Sequence, residues 1–113
     1  MPHIIIEHSK GLEDSHDLQA LCDDLWEKFA AHASVTAPDT VRTRTIAATA
    51  SRIGVEPQSF AHATLLLLPG RSEAIRAELA GLVLDRLEVH LSDVGSLTVR
   101  LDAIEQPYMK RML

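Results

Sequence analysis

The order strand–helix–strand is written twice along this chain, and that repetition constrains the fold more than any other feature. The first unit opens with an apolar run, roughly Pro2–His8, whose consecutive residues Ile4-Ile5-Ile6 suit a strand covered on both faces. Lys10-Gly11 breaks it. A helix is predicted over about Asp14–Ala33, where Leu18, Leu21, Cys22, Leu25, Phe29 and Ala33 recur at three- and four-residue spacing. Glu13 and Asp14 lie at its positive end and complement the helix dipole. After the turn signal Ala37-Pro38-Asp39, threonine, valine and alanine alternate with Arg42 and Arg44 from about Thr40 to Ser51, a second strand. The second unit follows Ile53-Gly54-Val55-Glu56-Pro57, a connection. It has a strand over Phe60–Leu68, the turn Pro69-Gly70-Arg71-Ser72 with Ser72 as helix cap, and a helix over about Glu73–Leu91. Ile75, Leu79, Leu82, Val83 and Leu87 form the apolar stripe of that helix. Gly95 then precedes a fourth alternating strand, Ser96–Ile104. His3 and His62 match at an offset of 59 residues, and so do Gly11 and Gly70.

Two such units predict an α+β fold in which the halves, about 1–52 and 58–105, build one four-stranded mixed sheet with both helices on one face. At 113 residues and 46% hydrophobic content, the chain suits one compact domain over 1–113. The strands read as apolar on both faces, so the side away from the helices calls for cover from outside, and oligomerisation is the simplest source. The tail, Gln106–Leu113, is expected to reach a neighbouring subunit, because Tyr108 and Met109 suit a free end poorly.

A net charge of −5 without any basic cluster argues against nucleic-acid binding. No run approaches the ~18 apolar residues of a membrane span. The start lacks a basic segment followed by a long apolar one, so no secretory signal is expected and a cytoplasmic location is. Cys22 is the only cysteine, which rules out an intrachain disulfide and a zinc–cysteine cluster; it falls on the apolar helix stripe and reads as core. His8, His16, His32 and His90 show no metal-ligand grouping. Trp26 fits either helix packing or a subunit contact.

Chemistry concentrates at Pro2 and the arginines. Methionine before a small residue is normally trimmed, which would leave Pro2 as a free secondary amine, and a free amine can act as a base. Most termini wave in solvent, whereas this one is tied to an apolar strand. A proline also stands at any given position by chance roughly 5% of the time. Of the 11 lysines and arginines, eight are arginine, the cation that stays charged when partly buried and grips carboxylates with a planar fork. Arg42 and Arg44 are two apart on a strand and share a face. Arg71 follows the third strand beside the N-terminus of the second helix, which favours anions. Each could instead serve in a surface ion pair, with Glu7, Asp39 or Asp102 as partner. Arg52 and Arg76 are expected to be bystanders. His3 and His62 read as hydrogen-bonded structural residues on neighbouring strands.

Four segments occur in an order and spacing that resemble the tautomerase superfamily, and within it the 5-carboxymethyl-2-hydroxymuconate delta-isomerase family. They are Pro2-His3-Ile4-Ile5-Ile6-Glu7, Val41-Arg42-Thr43-Arg44, Phe60-Ala61-His62-Ala63-Thr64-Leu65 and Gly70-Arg71-Ser72, and together they span most of the chain. The resemblance implies a homotrimer whose three sheets face inward, and a proton shift in a dienol bearing several carboxylates, without metal or cofactor. Pro2 would be the general base and the small carboxylate substrate would be bound by Arg42 and Arg71, with Arg44 ranked next. One stretch departs from the family: where it often carries glycine, an aliphatic residue and an aromatic, this chain has Ala33-Ser34-Val35-Thr36. A pocket wall has therefore changed. Two other readings keep the fold. One is phenylpyruvate-type tautomerisation or hydration of a haloacrylate (a hydratase or dehalogenase activity), which would need Glu7 or Asp39 to activate water. The other is a non-catalytic trimer that binds a small acid.

Overall fold

Alternation along the strands sorts side chains into two layers, and hydrogen bonding sets which strands share them. The computed structural model describes residues 2–113; the expected removal of Met1 lies outside the described residues. Strands β1 (His3–His8), β2 (Arg42–Ala47), β3 (Phe60–Leu67) and β4 (Ser96–Ala103) form one sheet in the order β2-β1-β3-β4. β1 runs parallel to β2 and antiparallel to β3, and β3 runs parallel to β4. This is the expected four-stranded mixed sheet built from two β-α-β units. Their helices are α2 (Leu18–Ala30), preceded by a single turn α1 (Leu12–Ser15), and α3 (Glu73–His90).

The core lies between the sheet and these two helices. Ile4 and Ile6 of β1 stand opposite Leu65 and Ala63 of β3, and all four are buried. Leu21, Leu25 and Phe29 of α2 and Leu79, Val83 and Leu87 of α3 close over them, all fully buried. Alanines at positions 61 and 63 leave room for the helices to approach the sheet. Cys22 is buried in the same layer, as its place on the stripe predicts. Two bonds stitch α2 to the β2 edge: the Thr43 hydroxyl donates to the Cys22 carbonyl at 3.1 Å, and the Trp26 indole N–H to the Val41 carbonyl at 3.1 Å. Trp26 is thus a packing residue within the chain, though still 41% exposed.

The opposite face corrects one expectation. It is not apolar. The register sets His3 beside Arg42, Ile5 beside Arg44 and Glu7 beside both Ile46 and His62, with Thr98, Arg100 and Asp102 further along β4. Charged and aliphatic residues therefore interleave there, because the isoleucine run is flanked on that face by the polar positions of its neighbours.

Two local differences have clear causes. The single helix expected over Asp14–Ala33 is broken at His16-Asp17. His16 is extended (φ −131°, ψ 145°), and the Asp17 carboxylate accepts the Ala20 N–H at 2.9 Å, capping α2 as a separate helix. The second strand is shorter than the run of alternating residues, since Pro38–Thr40 forms a 3-10 turn before it and its pairing with β1 ends where His8 meets Ala47. Elsewhere the expected signals act as read. Ser72 caps α3 by accepting the Ile75 N–H at 3.3 Å. Gly11 and Gly70 both have positive φ, 96° and 124°, backbone that a side chain would strain.

Candidate active site

Four sequence-selected residues sit near one end of the sheet. Pro2 is buried just ahead of β1, and its carbonyl accepts the Arg42 N–H at 3.0 Å, so the start of the chain is pinned to the start of β2. His3 pairs with Arg42 on one side and Leu66 on the other, which sets Pro2 close to where β3 ends and the Pro69-Gly70-Arg71 turn begins.

The arginines divide into two groups. Arg42 and Arg44 share the face away from the helices. Arg42 Nη1 donates to the Thr40 carbonyl at 2.9 Å, and Arg44 Nη1 to His3 Nδ1 at 3.2 Å. Arg71 lies on the helix side, where Nη2 donates to the Ser34 carbonyl at 3.1 Å and Nε faces the Ser34 hydroxyl at 3.4 Å. Among the described residues, none of the three is paired with a carboxylate. The suggested partner Asp102 is instead bound to Arg100 at 2.6 Å. This separates them from the surface ion pairs they could have formed: their charge is held in place by carbonyls, a hydroxyl and an imidazole, none of which neutralises it.

A cleft of about 120 Å³ runs along the ends of β3 and β4, lined by Leu68, Gly70, Arg71, Arg76 and Asp102 among others. Pro2, Arg42 and Arg44 do not line it. One chain thus supplies the pieces at one end of the sheet without closing them into a single cavity. Arg76, expected to be a bystander, does line the cleft and is half-buried. It lies at the start of α3, where the turn that presents Arg71 also brings the first helical turn to the rim.

His3 is more involved than a structural residue of the sheet. Arg44 can only donate, so His3 Nδ1 carries the lone pair and the ring proton belongs on Nε2, which donates to the Tyr108 hydroxyl at 2.9 Å. The rings meet edge-on with centroids 6.0 Å apart. Burial, then the guanidinium charges of Arg44 and Arg42, push the His3 imidazole below its ordinary value, so it stays neutral and adds no competing cation. The tail therefore reaches back through Tyr108 to its own chain, whereas Met109 is exposed. His62 bonds Thr98 at 2.6 Å, as a structural histidine would. Among the described residues, no group of His, Cys, Asp and Glu is arranged to hold a metal ion.

A sequence profile described as 5-carboxymethyl-2-hydroxymuconate isomerase matches residues 2–104. No curated protein sequence matches the chain. Among solved structures, a 5-carboxymethyl-2-hydroxymuconate delta-isomerase is 20% identical and superposes with a TM-score of 0.87 over 99% of this chain and 88% of its own. A 5-carboxymethyl-2-hydroxymuconate isomerase from Deinococcus radiodurans R1 is also 20% identical, with a TM-score of 0.85 over 97% of this chain and 88% of its own. A fused wild-type 4-OT described as a symmetric trimer is 18% identical, with a TM-score of 0.74 over 95% and 89%. These likenesses place the fold among the tautomerases. Taken with the profile match along residues 2–104, they mean that the chain belongs to the 5-carboxymethyl-2-hydroxymuconate isomerase family and is an isomerase.

Proposed function

We propose that this isomerase shifts a proton, without a cofactor, in an unsaturated 2-hydroxy or 2-oxo polycarboxylic acid resembling 5-carboxymethyl-2-hydroxymuconate. Pro2 is the general base, and Arg42, Arg44 and Arg71 bind the substrate. The observation that carries this reading is the set of arginines near the buried Pro2 that hold their charge without a carboxylate partner.

After Met1 is removed, Pro2 has a secondary amine. Burial and nearby guanidinium groups both disfavour its protonated form, which keeps it neutral and able to accept a proton. In a dienol, the base takes the proton of the enol hydroxyl, and a proton is delivered to the far carbon of the diene. The double bonds shift by one place, and the enol becomes a ketone beside one remaining alkene. Atoms and charge balance with the amine acting first as base and then as acid. Negative charge that builds on the oxygen meets fixed arginines, and the carboxylates take up charge-assisted bonds that hold the diene against Pro2. The homotrimer belongs to the same reading. A neighbouring subunit would cover the mixed face that bears Arg42 and Arg44, and would close a site that one chain leaves open.

The test begins with N-terminal mass spectrometry on purified protein. Processed protein is expected to ketonise 2-hydroxymuconate without added metal or cofactor. A preparation that retains Met1 has a tertiary amide at Pro2 and should lose nearly all of that activity. Equal turnover by the two forms would remove Pro2 from the mechanism.

A further inference from the structure

Arg71 is held from behind by a line of side chains that joins the exit of α2 to α3. Ser34 meets it twice, through the carbonyl at 3.1 Å and the hydroxyl at 3.4 Å. Ser34 is itself fixed in a tight turn. The Val35 N–H donates to the His32 carbonyl at 3.0 Å, and the Val35 side chain is buried. The Ser34 N–H donates to His32 Nδ1 at 3.0 Å, and the Ser34 hydroxyl lies 2.9 Å from the same nitrogen.

These bonds have one consistent direction. A backbone N–H can only donate, so His32 Nδ1 carries the lone pair and the ring proton belongs on Nε2. That nitrogen faces Glu78 Oε2 of α3 at 3.0 Å. The Ser34 hydroxyl then turns its proton toward His32 and its lone pairs toward Arg71 Nε. Glu78 orients His32, His32 orients Ser34, and Ser34 orients Arg71.

We propose that Ser34, oriented by His32 and Glu78, is a positioning residue for Arg71. It fixes the guanidinium at the rim of the cleft and thereby sets how well the enzyme holds a second carboxylate. This rests on the reading of Arg71 as a carboxylate-binding residue.

The experiment uses full-length processed protein and two probes, 2-hydroxymuconate with two carboxylates and 2-hydroxypenta-2,4-dienoate with one. Ser34→Ala is expected to raise KM for the dicarboxylate about three- to tenfold with little change in kcat, and to leave the monocarboxylate unaffected. Ser34→Thr, which keeps the hydroxyl, should restore the dicarboxylate KM. In an Arg71→Ala background, Ser34→Ala should add nothing. An equal loss of kcat on both probes, or a loss that multiplies that of Arg71→Ala, overturns the proposal. If Arg71→Ala is costly and Ser34→Ala silent, only the role of Ser34 falls. If Arg71→Ala is itself silent, the carboxylate-binding reading falls and takes this proposal with it. Should Ser34→Ala fail to fold, His32→Phe removes the Nδ1 acceptor from the other end of the line. The same rise in KM on the dicarboxylate alone is expected, and an unchanged KM overturns the proposal.

Discussion

Arg71→Ala separates a binding site from a solvated surface charge. The guanidinium spends Nε and one N–H of Nη2 on Ser34, and it has no carboxylate partner among the described residues. Its remaining N–H groups are available to a substrate anion in the cleft that it lines. A charge-assisted contact of this kind contributes about 1.5–3 kcal/mol, which corresponds to a drop in kcat/KM of roughly ten- to 150-fold on a dicarboxylate. The folding cost is smaller. Losing the bonds to Ser34, in a half-buried setting, should take about 1 kcal/mol and lower Tm by a few degrees. Steady-state kinetics on 2-hydroxymuconate, beside a thermal melt, therefore resolve the two effects. Arg52, exposed and with no comparable contact, is the control, and Arg52→Ala should stay within twofold of wild type. If Arg71→Ala also stays within twofold, or if Arg52→Ala loses as much, the absence of a carboxylate partner has been misread as a sign of substrate binding.

Two further outcomes test the scaffold and the assembly. Asp24 of α2 accepts from Arg86 Nε at 2.7 Å and Nη2 at 2.6 Å, and from His90 at 2.8 Å, which clasps α2 to α3. Burial alone would raise its carboxyl, but bonds from His90 and Arg86, and their charges, outweigh it and hold the group below its usual value. The stability it contributes is thus present above the ordinary carboxylate pKa of ~3.9 and is lost as pH falls through the lower folded value. Asp24→Asn should cost about 1–3 kcal/mol in urea melts at pH 7, with the gap from wild type narrowing below pH ~3.9; an unchanged gap would mean that the carboxylate charge is not what matters. For the assembly, sedimentation at micromolar concentration should show a trimer, and a stable monomer would refute the proposed closure of the site by a neighbour.

What the sequence makes legible here is whatever depends on residues close together along the chain. Ser72 and Ile75 are three apart, so a cap could be read from spelling alone. The leucines of α2 and α3 recur within one helix, so their buried face could be too. Gly11 and Gly70 mark strand-to-helix turns because each must leave the ordinary backbone regions within its own residue. Where a feature depends on which distant residue comes alongside, that advantage is gone. Ile5 reads as part of an apolar face, yet that face is mixed, because the register brings Arg44 beside it. Asp17 looks like one more exposed helical residue until its carboxylate takes the Ala20 N–H and ends the run.

The candidate site lies on the same dividing line. Arginine positions could be picked out because strand parity and the strand-to-helix turn are local. Their partners could not: Arg71 meets Ser34 across 37 residues, and His3 meets Tyr108 across 105. Glu7, Asp39 and Asp102 were each plausible counter-ions on composition, and none of them pairs with Arg42, Arg44 or Arg71. Two other arginines do find acids, Arg86 with Asp24 and Arg100 with Asp102, whereas Arg52, Arg76 and Arg111 pair with no carboxylate among the described residues. The three near Pro2 are instead held by groups that orient a cation without neutralising it. A fold that sought only stability from them gains little by this arrangement, since a neutral acceptor leaves most of the charge uncompensated. A site that must receive an anion needs that uncompensated charge, already oriented, before the anion arrives.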